Sequence, residues 1–148
     1  MTAVKPMIRI LLIEDDATRI ALFEQWLPVD MRLVVASSTG KAMGVLSRDR
    51  GRVYAGILLD HDLQEQAITQ MDRHLSGSDL IKVIIRNVSK DVPVLVHSMN
   101  VSRGPLMADR LAGAGFMVTR IPMSVLSRRA FLEWVAEVRE VWETLEED

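Results

Sequence analysis

Three short apolar runs in this chain each stop on ionisable or polar residues, and no other feature narrows the available folds so far. Ile8-Arg9-Ile10-Leu11-Leu12-Ile13 runs into Glu14-Asp15-Asp16, and Ile57-Leu58-Leu59 into Asp60-His61-Asp62-Leu63. Val92-Pro93-Val94-Leu95-Val96 runs into His97-Ser98-Met99-Asn100. A continuous apolar run that ends in charge reads as a strand buried on both faces, its C-terminal end at the surface. One such end is also what a solvated turn after a core strand would give. Three are more than turn chemistry requires, because a parallel sheet brings all three to one edge, where open α/β sheets bind ligands.

The segments between the runs carry helix and strand signals in alternation. Asp16 is placed to cap a helix over Thr18 to Leu27, with Ile20, Leu22, Phe23, Trp26 and Leu27 on one face and Pro28 at its end. Met31 to Ala36 reads as a second strand. Ser37, Ser38 and Thr39 offer caps for a helix through Ala42, Met43, Val45 and Leu46, broken by Asp49-Arg50-Gly51-Arg52. Gln64 to Ser76 has no period, and its place after Asp60 predicts a lid or specificity loop. Gly77 closes that stretch, and Ser78 or Asp79 caps a helix using Leu80, Ile81, Ile84 and Ile85. A helix over Arg103 to Ala112 precedes Gly113 and Gly115, and Phe116 to Ile121 reads as the fifth strand. From Ser124 or Ser127 a long helix carries Phe131, Trp134, Val135, Val138, Val141, Trp142 and Leu145 on one stripe, a sheet-packing face rather than a cofactor box. Five strand–helix units predict a single-domain α/β fold, a five-stranded doubly wound parallel sheet sandwiched by helices.

Composition removes several classes of function. A chain of 148 residues can bury a full core without metals or staples. Its net charge of −2 makes no electrostatic case for nucleic acid. Having no cysteine, it has no thiol chemistry, disulfide or cysteine-based zinc site. No apolar run approaches the roughly 20 residues that span a bilayer, and the N-terminus lacks the shape of a signal peptide. The expectation is a cytoplasmic protein without a membrane anchor or second domain.

Asp15, Asp16 and Asp60, brought to one edge, would repel each other. Two unit charges about 4 Å apart cost about 4 kcal/mol at an effective dielectric near 20. A cation or a shared proton relieves that. An all-oxygen cluster with few protein ligands suits Mg²⁺ (or Mn²⁺), whereas inward-facing histidines would favour a softer metal.

These residues resemble a response-regulator receiver domain over nearly the whole chain. Glu14-Asp15-Asp16 stands where receivers carry the acidic pair that holds Mg²⁺, and Asp60 stands at the phosphoacceptor position. Asp62 falls where a backbone carbonyl completes the metal site, Ser98 where a hydroxyl binds the phosphoryl group, and Gly77 where a glycine opens the third helix. The departures are as specific. Receivers follow the fifth strand with Lys-Pro; here Arg120-Ile121-Pro122 either substitutes arginine or lacks the cation. Met117 and Phe116 stand near the aromatic switch position without matching it, and the loop after Asp60 is long.

Glu-Asp-Asp with Arg19, Asp60-His61-Asp62-Leu63, and His97-Ser98-Met99-Asn100 followed by Met107 are similar to the cyclic-phosphate-processing receiver branch. That resemblance implies a stand-alone receiver whose metal on Asp15, Asp16, Asp60 and Asp62 polarises a cyclic phosphoester. His61 and His97 would act as general base and acid, with Asp60 catalytic beside them. Ser98, Asn100 and Arg120 would hold phosphate oxygens. The expected partner is a phosphate-containing small molecule. The alternative is a phosphorelay receiver, with Asp60 phosphorylated by a partner histidine kinase.

Overall fold

The structure is a computed structural model that describes residues 7–60 and 77–147. Five parallel strands form one sheet in the order β2-β1-β3-β4-β5: β1 (Ile8–Ile13), β2 (Met31–Ala36), β3 (Gly56–Leu59), β4 (Val94–Val96) and β5 (Val118–Arg120). Among the described residues the connecting helices are α1 (Ala17–Trp26), α2 (Thr39–Arg48), α3 (Gly77–Asn87), α4 (Arg103–Gly113) and α5 (Arg128–Glu147). None is long and apolar enough to cross a membrane.

Alternation along the strands divides the core into two layers. Leu11, Ile13, Ile57, Leu59, Val94 and Val96 pack with α2, α3 and α4 on one face. Ile10, Leu12, Leu58 and Leu95 pack with Phe23 of α1 and with Phe131, Trp134, Val135 and Val138 of α5 on the other. The expected α5 stripe is thus a sheet-packing face. Trp134 lies so close to Gly56 that a Cβ there would meet its Cη2 at 2.8 Å.

Element ends follow local chemistry. Asp16 accepts from the Arg19 backbone N–H at 2.9 Å, Ser38 from Lys41 at 3.1 Å and Ser127 from Ala130 at 3.1 Å, so each caps its helix. Leu27 turns to extended backbone ahead of Pro28 and stops α1. Two expected strands are shorter than the apolar runs suggested. Val92 closes a turn by donating to the Ser89 carbonyl. Phe116 closes the end of α4 by donating to Leu111, after Gly115 takes φ +103°.

The chain runs from β1 out to β2 and then returns past β1 to β3. Strand order therefore reverses between β1 and β3, and a fold of this kind binds its ligand outside the carboxyl ends of those two strands.

Candidate functional site

Strand register builds the site. Ile13, Leu59 and Val96 stand side by side across β1, β3 and β4. The next residues keep that register, with the Asp60 N–H donating to Ile13 and the His97 N–H to Leu59. Glu14, Asp60 and His97 therefore form one row across three strands. Alternation turns that row to the face of Leu12, Leu58 and Leu95, under α1. All three side chains are buried.

Glu14 is held from several directions. One carboxylate oxygen accepts from the Asp15 N–H at 3.0 Å and, more weakly, from the Asp16 N–H at 3.4 Å. The other lies 3.2 Å from His97 Nε2. The His97 ring meets Phe23 edge-on at 5.1 Å between centroids, and its Nδ1 has no hydrogen-bond partner among the described residues. Burial pushes the Glu14 carboxyl up. Hydrogen bonds with His97 and Asp60, the electrostatic pull of His97 and the Asp16 amide outweigh it and bring the pKa down to about 2.

Asp15 completes an acidic group: Glu14, Asp15 and Asp60 each offer an oxygen within 4.8 Å of the others. Burial, then the charge of Glu14, raises the Asp15 pKa. Its Oδ2 is buried with no hydrogen-bond partner among the described residues. A buried carboxylate oxygen without a donor, beside two more carboxylates, fits a hard divalent cation. Among the described residues, Arg19 brings a cation to the group: its Nη1 lies 3.5 Å from Glu14 Oε1 and 3.7 Å from Asp60 Oδ2.

A family model described as the cyclic-phosphate processing receiver domain matches residues 9–113, which carry every residue of this row. The chain belongs to that family. No curated protein matches the chain. Solved structures share the fold of this receiver domain at low identity. A CheY-like response regulator receiver from Methanospirillum hungatei is 17% identical, covering 96% of this chain and 99% of that one, with a TM-score of 0.67. The receiver domain of a sensor histidine kinase from Pseudomonas aeruginosa, which has a magnesium ion coordinated in its active-site cleft, is 20% identical. It covers 88% of this chain and 96% of that one, with a TM-score of 0.63. The response regulator domain of Thermotoga maritima CheB is 17% identical over 91% and 96%, with a TM-score of 0.62.

Within the receiver frame, the expected site residues are placed unequally. Of the four expected metal ligands, Asp15, Asp16, Asp60 and Asp62, the first and third come together, and Glu14 joins them. Asp16 lies outside the group, its Oδ1 engaged as the α1 cap. His97 faces inward to Glu14 and Phe23. Ser98 is buried at the start of the β4–α4 turn, where its Oγ accepts from the Asn100 N–H at 3.1 Å. Asn100 Oδ1 accepts from Ser102 and Arg103 at the start of α4. That leaves the Ser98 hydroxyl proton and the Asn100 amide NH₂ to donate. Arg120 stands opposite Val96 on β5, two residues from Val118, and is exposed. His61, Asp62 and the Gln64–Ser76 loop lie outside the described residues.

Glu14 and Arg19 stand in the motifs that the sequence singles out, but neither was assigned there as a metal ligand or phosphate contact. Both were within reach of simple rules. Glu14 follows Ile13 as Asp60 follows Leu59, and a first-turn residue such as Arg19 points back along its helix toward the strand end.

Proposed function

We propose that this receiver domain holds Mg²⁺ on the carboxylates of Glu14, Asp15 and Asp60 and opens a cyclic phosphoester there. The convergence of those three carboxylates around a buried Asp15 oxygen that has no donor among the described residues carries the reading. The family description and the magnesium ion in the cleft of the Pseudomonas receiver support it. A metal held there would draw charge from the phosphoryl group and acidify a bound water.

The rest falls to the chain's own groups. In the hydrolysis, water gives up a proton as its oxygen bonds to phosphorus, one P–O ester bond breaks, and the departing oxygen takes a proton. His61, next to Asp60 in the chain, is assigned that proton traffic, and the Asp62 carbonyl is assigned to the metal. Ser98 and Asn100 donate to phosphoryl oxygens. His97 is assigned a positioning role instead of acid–base chemistry, because its Nε2 is engaged by a carboxylate and its ring is fully buried.

A second reading rests on the place of Asp60, at the carboxyl end of β3 beside the switch point of a receiver sheet. There Asp60 is the nucleophile that accepts a phosphoryl group from a histidine kinase or small phosphodonor. One panel separates the two. Wild-type protein and Asp60→Asn are incubated with Mg²⁺ and either cyclic phosphodiesters or acetyl phosphate, read by ³¹P NMR and intact mass. The first reading expects a monoester product from at least one cyclic ester. A phosphorylated Asp60, with every cyclic ester untouched, would replace it by the second.

A further inference from the structure

We propose that Arg19 is the cation that grips the phosphoryl oxygens in this pocket, the task the sequence pattern offers to Arg120. The inference rests on the pocket being a phosphoryl site and names the residue that meets the anion. Arg19 sits on the first turn of α1, where a helical side chain leans back toward the N-terminus and so over the carboxyl edge of β1. Its Nη1 reaches Glu14 and Asp60 together, and its side chain is 29% exposed, so the guanidinium bridges the buried row and solvent.

The contact lengths matter. At 3.5 and 3.7 Å they are longer than the roughly 2.7–2.9 Å of a charge-assisted hydrogen bond. Arg19 is therefore held over the carboxylates by charge, without a closed two-pronged bond to either. A guanidinium has five N–H donors in a planar fork, which suits two oxygens on one phosphorus. A phosphodiester presents two such non-bridging oxygens.

Arg120 has the opposite geometry. It lies two residues beyond Val118, which packs on the α2–α4 layer, so period-2 alternation puts Arg120 on that side of the sheet. Glu14, Asp60 and His97 belong to the other. Charge balance also calls for a cation in the row. Carboxylates crowded at one edge repel an anionic phosphoester, and Arg19 is a cation set against two of them. A metal held there would offset part of that repulsion, and Arg19 offsets more from the side of the pocket that meets solvent.

The test is calorimetric titration of Mg²⁺, and then of inorganic phosphate in saturating Mg²⁺, into wild type, Arg19→Gln, Arg19→Lys and Arg120→Gln. Arg19→Gln should weaken phosphate about 10- to 100-fold, the worth of a hydrogen bond to a charged group, with Mg²⁺ binding unchanged or tighter. Arg19→Lys, which keeps the charge without the fork, should fall between and stands in if the glutamine variant does not fold. Arg120→Gln should bind both like wild type.

Loss of phosphate in Arg120→Gln but not in Arg19→Gln would overturn the proposal. So would an equal loss of metal and phosphate in Arg19→Gln, which marks a merely structural role. Wild-type protein that takes Mg²⁺ and no phosphate would overturn it while leaving the metal site standing. Arg19-dependent phosphate binding with no turnover of any cyclic ester would uphold it and remove the hydrolytic reading instead.

Discussion

Replacing His97 with leucine removes a buried side-chain nitrogen that holds Glu14, while keeping a group of similar bulk against Phe23. A hydrogen bond to a charged group is worth about 1.5–3 kcal/mol, and Glu14 would keep Arg19 and its own turn amides. The Glu14 pKa gives a second measure. A fall from 4.5 to about 2, at about 1.4 kcal/mol per unit, corresponds to about 3 kcal/mol for all partners combined. The expected cost of His97→Leu at pH 7 is therefore about 2–3 kcal/mol. Its pH dependence follows from the direction of that shift. A carboxyl whose folded pKa is depressed contributes stability that is present above 4.5 and lost as pH falls toward 2. The variant lacks much of that contribution, so its stability approaches wild type as the solution is acidified. Urea unfolding in metal-free buffer, followed by tryptophan fluorescence at steps from pH 7 to pH 3, reads both quantities. A cost below about 0.5 kcal/mol at pH 7, the size of an ordinary surface change, would refute the reasoning. A cost that stays the same at pH 3 would refute it equally.

Tyr54 is the only tyrosine in the chain, buried and bonded through its hydroxyl to Asp49. Burial and that carboxylate push its pKa up to about 12, so ultraviolet titration should show no phenolate step near 10 while the protein stays folded. Because the folded pKa is raised, stability should decline as pH climbs above 10, and Asp49→Ala should bring the step down. Gly56→Ala forces a methyl group to within 2.8 Å of Trp134 and 3.1 Å of Val138. Overpacking of this kind costs about 1–3 kcal/mol, and an unchanged melting temperature would contradict the packing described.

Much of the fold was legible because strand, helix and cap signals agreed. β2 occupies the apolar run Met31–Ala36, and Asp16, Ser38 and Ser127 cap where their side chains predict. Hydrophobicity alone misled at Val92 and Phe116, which are buried without belonging to strands. Their apolar surface fills the core from turns. The site was legible as a list of strand ends and less so as a set of directions. His97 reads as a ligand-type residue at a sheet edge, yet counting alternately from Leu95 turns it toward α1 and Glu14. Arg120 fills the place of an expected cation in the chain, and the same counting turns it away. Arg19 enters from a helix: the backward lean of a first-turn side chain aims it at the end of β1, and the neighbouring end of β3 brings Asp60 to the same charge.

Titration of Mg²⁺ into the metal-free protein tests the acidic pocket most directly, with heat as the signal and Asp15→Asn as the control. Saturable binding to one site is the expected result. Asp15→Asn should weaken it more than about 10-fold, since even partners outside a coordination sphere can cost that much. An isotherm that never saturates at millimolar metal, or one that Asp15→Asn leaves untouched, would contradict a cation held by Glu14, Asp15 and Asp60.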